Sequence, residues 1–269
     1  MMAPAKGPED VDPGEGKYIY CIIGCEGEPT FGPMGIGGRG DEVYTVAHQG
    51  VGAVVSHSPL KKYPITREFT MAHQKVMEKV MKDHPLLPVR FDTIAEGTDG
   101  TTDVQRIKRQ VLQERQTELQ ELLKKMKGKT ELGLKALWVD MGPIYSEIVA
   151  ENEEIRRLRN RIQAKPPVKT HDAQVELGRR VKEALEAKKR REEQEVLDEL
   201  TGLFSDLRKG RVLGDGMVTN LSFLVQEDRC LEFDERVDAL SQRLVGRTRM
   251  RYIGPVPPCN FVELVIKWN

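Results

Sequence analysis

The feature that most restricts the fold is a change of apolar spacing that happens in both halves of the chain. Short runs rich in β-branched and aromatic residues, such as KYIYCII at Lys17–Ile23 and MVTNLSFLV at Met217–Val225, suit strands. Between them lie longer stretches in which apolar residues recur every three or four positions, the period of a helix with one buried face. Strands and helices mixed in this way suit an α+β architecture. A length of 269 residues favours two cores over one.

In the first half, Glu42–Ala47 and Gly52–Ser56 read as strands joined by a tight turn at His48-Gln49-Gly50. Thr66 is placed to cap a helix with Phe69, Ala72, Val76, Met77, Val80 and Met81 on one side. Pro85 stops it, and Leu86–Ile94 is extended around Pro88. A long helix from Asp103 carries Val104, Ile107, Val111, Leu119, Leu122 and Met126 and ends at Lys127-Gly128. The expected first domain is therefore residues 17–128, a ferredoxin-like α+β sandwich. Residues 1–16, rich in Pro, Gly and acids, form a flexible tail.

The expected second domain, residues 129–269, is α+β with long helices at about 143–163 and 172–208. Ile144, Ile148, Ile155, Leu158 and Ile162 follow coiled-coil spacing, and Lys165-Pro166-Pro167 turns the chain back into a helical hairpin. The polar middle of the second helix, EAKKRREEQE, reads as a solvated face. Met217–Val225, a helix after Asp228, and strands at Thr248–Ile253 and Phe261–Trp268 complete the domain.

Lys plus Arg and Asp plus Glu number 42 each, so no net field draws in nucleic acid or an anionic membrane. No apolar run reaches the roughly 20 residues that span a bilayer, and the amino terminus has no signal-peptide pattern, which points to the cytoplasm. Cys21, Cys25, Cys230 and Cys259 have no zinc or redox spacing and read as reduced residues. His73 stands alone beside its helix stripe and reads as packing. Gly35-Ile36-Gly37-Gly38-Arg39-Gly40 fits a dinucleotide-binding pattern, but a β-prone run follows where that motif needs a helix amino terminus. No nucleophile elbow, phosphate loop or HExxH pair occurs. Neither a cofactor nor a metal is expected, and no catalytic residue is assigned.

Four ordered segments carry a family resemblance. Leu87-Pro88-Val89-Arg90-Phe91-Asp92-Thr93 is similar to an LPVRFGT signature, with Asp92 in place of the usual Gly. Glu131-Leu132-Gly133-Leu134-Lys135 resembles an E-[WL]-G-[VL]-K strand. Asn220-Leu221-Ser222-Phe223-Leu224-Val225 resembles NLAFLV, and Tyr252 to Val262 resembles Y-x-GPWPPY-x-FV. These are patterns of the GvpL/GvpF gas vesicle proteins. The resemblance implies a non-enzymatic assembly factor and minor vesicle component, cytoplasmic and associated with gas vesicles. It implies the major gas vesicle shell protein as partner, together with other accessory proteins, and no nucleic acid or membrane. A soluble handler of an apolar client needs an amphipathic face, and Arg249, Arg251, Tyr252 and Phe261 combine cations with apolar strand residues. They are the candidate partner-binding residues, and Arg90 is expected in an ion pair. The alternative role is a coiled-coil adaptor of another cytoplasmic assembly.

Overall fold

Tyr18–Ile23 lies at the heart of strand β1 (Glu15–Gly24), whose interior is buried on both faces, which is why its apolar run is continuous instead of alternating. The computed structural model describes residues 14–98, 100–164, 166 and 170–268, so most of the tail expected at residues 1–16 lies outside the described residues, while Glu15 and Gly16 pair with Pro59 and Ser58 as the start of β1. Strands β2 (Thr30–Gly32), β3 (Val43–His48), β4 (Val51–Pro59), β5 (Leu86–Pro88) and β6 (Ile94–Ala95) join β1 in the order β2-β3-β4-β1-β5, with β6 also on β1. The pairings recorded in this sheet are antiparallel. Gln49 and Gly50 both have positive φ, 45° and 84°, so the β3–β4 hairpin closes in two residues.

Helix α1 (Arg67–Val80) starts where Thr66 accepts a hydrogen bond from the Phe69 amide. Its Val76, Met77 and Val80 share a core with Tyr18, Tyr20 and Ile23. The long helix expected from Asp103 is helical in three parts: α2 (Asp103–Arg106), a π-helical stretch over Ile107–Gln113, and α3 (Gln116–Met126). Its start is a capping box in which Thr102 and Gln105 exchange hydrogen bonds.

The second sheet holds β7 (Lys129–Trp138), β8 (Asp206–Lys209), β9 (Met217–Gln226) and β10 (Thr248–Val256), ordered β10-β7-β9-β8. Helices α4 (Met141–Glu151), α5 (Glu153–Gln163) and α6 (His171–Leu200) fall between β7 and β8, and α7 (Cys230–Arg243) between β9 and β10. With consecutive helices merged, this is a βαββαβ succession with strand order 4-1-3-2, the ferredoxin-like pattern. The sequence reading placed that pattern in the first half. There four strands precede the first helix and the sheet order is different.

Two helix boundaries also differ from expectation. The segment at 143–163 is two helices, because Asn152 is extended (φ −118°, ψ 101°) and its side-chain amide donates to the Ile148 carbonyl at 2.7 Å. Ile144, Ile148 and Ile155 are buried against Trp138 and Leu185, so most of the coiled-coil seam is used inside the fold. The helix at 172–208 ends at Leu200. Gly202 turns with φ 85°, and Leu207 lies in β8. Lys165 and Pro167 of the proline turn lie outside the described residues.

Contacts divide the chain into two units, residues 1–131 with 255–269, and residues 132–254. Phe261–Trp268, expected to close the second domain as a strand, forms only an isolated bridge, Leu264 to Val89, within the first unit.

Candidate functional site

In β10, alternate side chains part company. Met250 and Tyr252 face the second core, where the Tyr252 hydroxyl donates to Asp234 Oδ1 and its ring stacks on Phe233 at 6.1 Å. Burial, reinforced by Asp234, pushes the Tyr252 phenol far above its ordinary pKa. Arg249, Arg251 and Ile253 are exposed. Phe261 is half-buried and belongs to the other unit, so of the four candidates only the two arginines share one open strand face.

The neighbouring strand enlarges that face. The Val139 amide donates to the Arg247 carbonyl at 2.9 Å, and a side chain on Gly133 would sit 2.9 Å from Ile253 Cγ1. The antiparallel step between these two contacts sets Lys135 across from Arg251 and Leu137 across from Arg249. Lys135 is exposed, like both arginines. None of the three takes part in an ion pair among the described residues. The helices of this unit lie on the opposite face, against Leu132, Leu134, Ala136 and Trp138. Sequence reasoning missed Lys135 because cross-strand neighbours 116 positions apart in the chain leave no local signal.

Other ionisable groups serve the fold. A cavity of about 250 Å³ in the second unit is lined by Lys188, Glu192, Arg247 and Thr248 among others. Arg247 donates to both Glu147 oxygens (2.7 and 2.9 Å) and to Glu192 (2.7 Å), which also accepts from Trp138 Nε1 (2.7 Å). Lys188, only 4% exposed, reaches Glu147 and Glu151 at 2.8 and 2.9 Å. Hydrogen bonds from Arg247 and then Lys188 bring the Glu147 pKa down to about 2. Lys189, also buried, donates to the Gly214 carbonyl at 3.0 Å. The polar run expected to be a solvated face thus buries two lysines.

In the first unit His73 is buried in the core, stacked on Tyr20 and hydrogen-bonded through Nδ1 to the Tyr18 hydroxyl at 3.0 Å. Burial lowers its pKa to about 4. Arg90, expected in an ion pair, is exposed and has none among the described residues. The glycine run is a loop that enters strand β3, and the Ile36 amide there donates to the Tyr20 hydroxyl at 2.8 Å. No helix amino terminus follows to hold a pyrophosphate. The four cysteines are unpaired, and no group of three His, Cys, Asp or Glu among the described residues is arranged around a metal.

The α+β fold thus spends its buried charges on packing and leaves Lys135, Arg249 and Arg251 on an open strand face, without an ion pair among the described residues. A family model described as gas vesicle synthesis protein GvpL/GvpF matches residues 16–263, and the chain belongs to that family. It is 30% identical over 249 residues to gas vesicle protein F of Streptomyces sp. (strain CB03234), spanning 91% of this chain and 99% of the relative. Crystal structures of GvpF from Anabaena sp. PCC7120 and Microcystis aeruginosa share its fold, with TM-scores of 0.79 and 0.74. Their identities are 23% and 24%, and each comparison covers 93% of this chain and 99% of the other. No helix among the described residues is long and apolar enough to cross a membrane.

Proposed function

We propose that this chain is a non-enzymatic gas vesicle assembly factor and minor vesicle component that binds the hydrophobic shell protein in the cytoplasm and limits its premature aggregation. The observation that carries this reading is the family match across almost the whole chain. The physics supports it. A subunit that builds a gas-filled wall must present apolar surface, which associates with itself until a partner covers it. A covering partner needs a complementary face and no catalytic group. Of the candidate residues, Arg249 and Arg251 are exposed for that contact. Tyr252 supports their strand from the core side, and Phe261 belongs to the other unit. Other gas vesicle accessory proteins are further partners.

The test is light scattering of the purified shell protein on dilution from denaturant, with and without the full chain. Slower scattering and co-elution of the two proteins are expected. Scattering as fast as in buffer alone overturns the reading.

A further inference from the structure

The cationic face around β10 carries more information than its exposure. Lys135 and Arg251 stand directly across the strand pair, and Arg249 is two positions along on the same side, a spacing of roughly 7 Å in a strand. Like charges facing each other across strands cost stability, and among the described residues no carboxylate is ion-paired with them. Some surface arginines sit in tight ion pairs, as Arg115 does with Glu118 and Arg229 with Glu232, whereas Arg249 and Arg251 stand beside another cation instead. β10 is also an edge strand, with β7 as its one neighbour in the sheet. An edge offers its outer backbone groups to another extended chain.

From this juxtaposition we propose that β10 is a docking edge for an acidic protein segment, which adds to the sheet as a further strand. Its carboxylates, at alternate positions, lie beside Arg249 and Arg251 and neutralise the Lys135–Arg251 opposition. The next outward residue of the added strand, two positions beyond the acid beside Arg251, is apolar and covers Ile253, which is 59% exposed. Single-stranded nucleic acid fits the site less well. An open face on a βαββαβ sheet binds bases by stacking them on aromatic side chains. The outward positions of β7 and β10 are Gly133, Lys135, Leu137, Arg249, Arg251 and Ile253, with no ring among them. The proposal rests on the assembly-factor reading and specifies the chemistry that its client presents at this edge.

The experiment uses the full chain and a variant carrying Lys135→Glu, Arg249→Glu and Arg251→Glu. All three positions are exposed, and a thermal melt verifies that the variant folds. The probe is a peptide of alternating Glu and Val, with alternating Lys and Val as control. Poly-deoxythymidine and phosphatidylglycerol vesicles represent the other anions. The wild-type chain is expected to bind the Glu-Val peptide at least about tenfold more tightly than the variant does, with affinity falling as salt rises. Equal binding by the variant, or tighter wild-type binding to poly-deoxythymidine or to the vesicles, overturns the proposal.

Capture of the shell protein by both proteins is measured alongside. If the shell protein is captured and the peptide ignored, the edge proposal falls and the assembly reading stands. Peptide binding lost in the variant, with no shell capture by the wild type, leaves the edge in place and removes its client.

Discussion

Lys17 shows how much of a residue's role its local sequence conceals. It opens the run KYIYCII, where a lysine ordinarily marks the solvated end of a strand, yet it is 2% exposed. Its ammonium lies 3.3 Å from Asp103 Oδ2, on a carboxylate that is itself 2% exposed, and 3.2 Å from His57 Nδ1. Burial, and then Lys17, lower the His57 pKa below its ordinary value. A buried ion pair is costly to break and cheap to replace, because removing one partner strands the other charge in a medium that cannot solvate it. Lys17→Ala is therefore expected to cost about 3–5 kcal/mol in denaturant unfolding. Lys17→Met combined with Asp103→Leu should fall near the wild type; equal losses in both variants would mean the pair is not what Lys17 contributes. Asp92 was more legible. The resembled signature has Gly there, and the structure gives the reason in a φ of 66°. Its carboxylate accepts from the Tyr63 amide at 2.8 Å, a bond that Gly could not make.

At the scale of elements, the strand runs, the Thr66 cap, the two-residue hairpin and the stop near Gly128 could be read from local chemistry, since each depends on neighbours a few positions away. The end of α6 could not. Val196, Leu200, Leu203, Phe204 and Leu207 keep helical spacing through Gly202 and into β8, and all of them pack in one core. A helix and a strand that share a core can extend one apolar rhythm across their junction. Nor did periodicity reveal what fixes α4 and α6 to β7, which is the network of Glu147, Lys188, Glu192, Arg247 and Trp138. That network makes stability depend on pH with a definite sign. Glu147 titrates near 2 when folded and near 4.3 when unfolded, so the unfolded chain binds more protons between those values. Its contribution is fully present above about pH 5 and is lost as the pH falls toward 2. Thermal melts of Glu147→Gln and wild type should differ most at neutral pH and converge on acidification. A gap that stays constant down to pH 2 would rule out this linkage.

For the whole molecule, the division into two α+β halves followed from the succession of strand and helix patterns, but the path of the chain between the units did not. The residues after Gly254 return to the first unit, and every contact that returns them is distant in sequence. The Leu264 amide donates to the Pro88 carbonyl at 2.9 Å, and the Arg90 amide to the Leu264 carbonyl at 3.0 Å. The Asn260 amide donates to Glu131 Oε2 at 2.9 Å, and Arg106 lies over the Trp268 ring at 5.0 Å. Leu264 is 3% exposed, so the segment closes a core that begins some 175 residues earlier at Leu87 and Val89. The region most similar to the family's carboxy-terminal pattern is thus half strand β10 and half lid for the other unit. Ending the chain after Gly254 should consequently damage the first unit, although its strands β1–β6 stay in the chain, and spare the second unit. Burial of Leu264 alone is worth about 2–5 kcal/mol, and the backbone bonds to Pro88 and Arg90 go with it. Hydrogen exchange on the truncated chain is expected to show faster exchange at β1 and β5, while β9 and α7 keep their protection. Protection lost first in β9 and α7 would show that the closing segment stabilises the unit that precedes it in sequence, against the division drawn by its contacts.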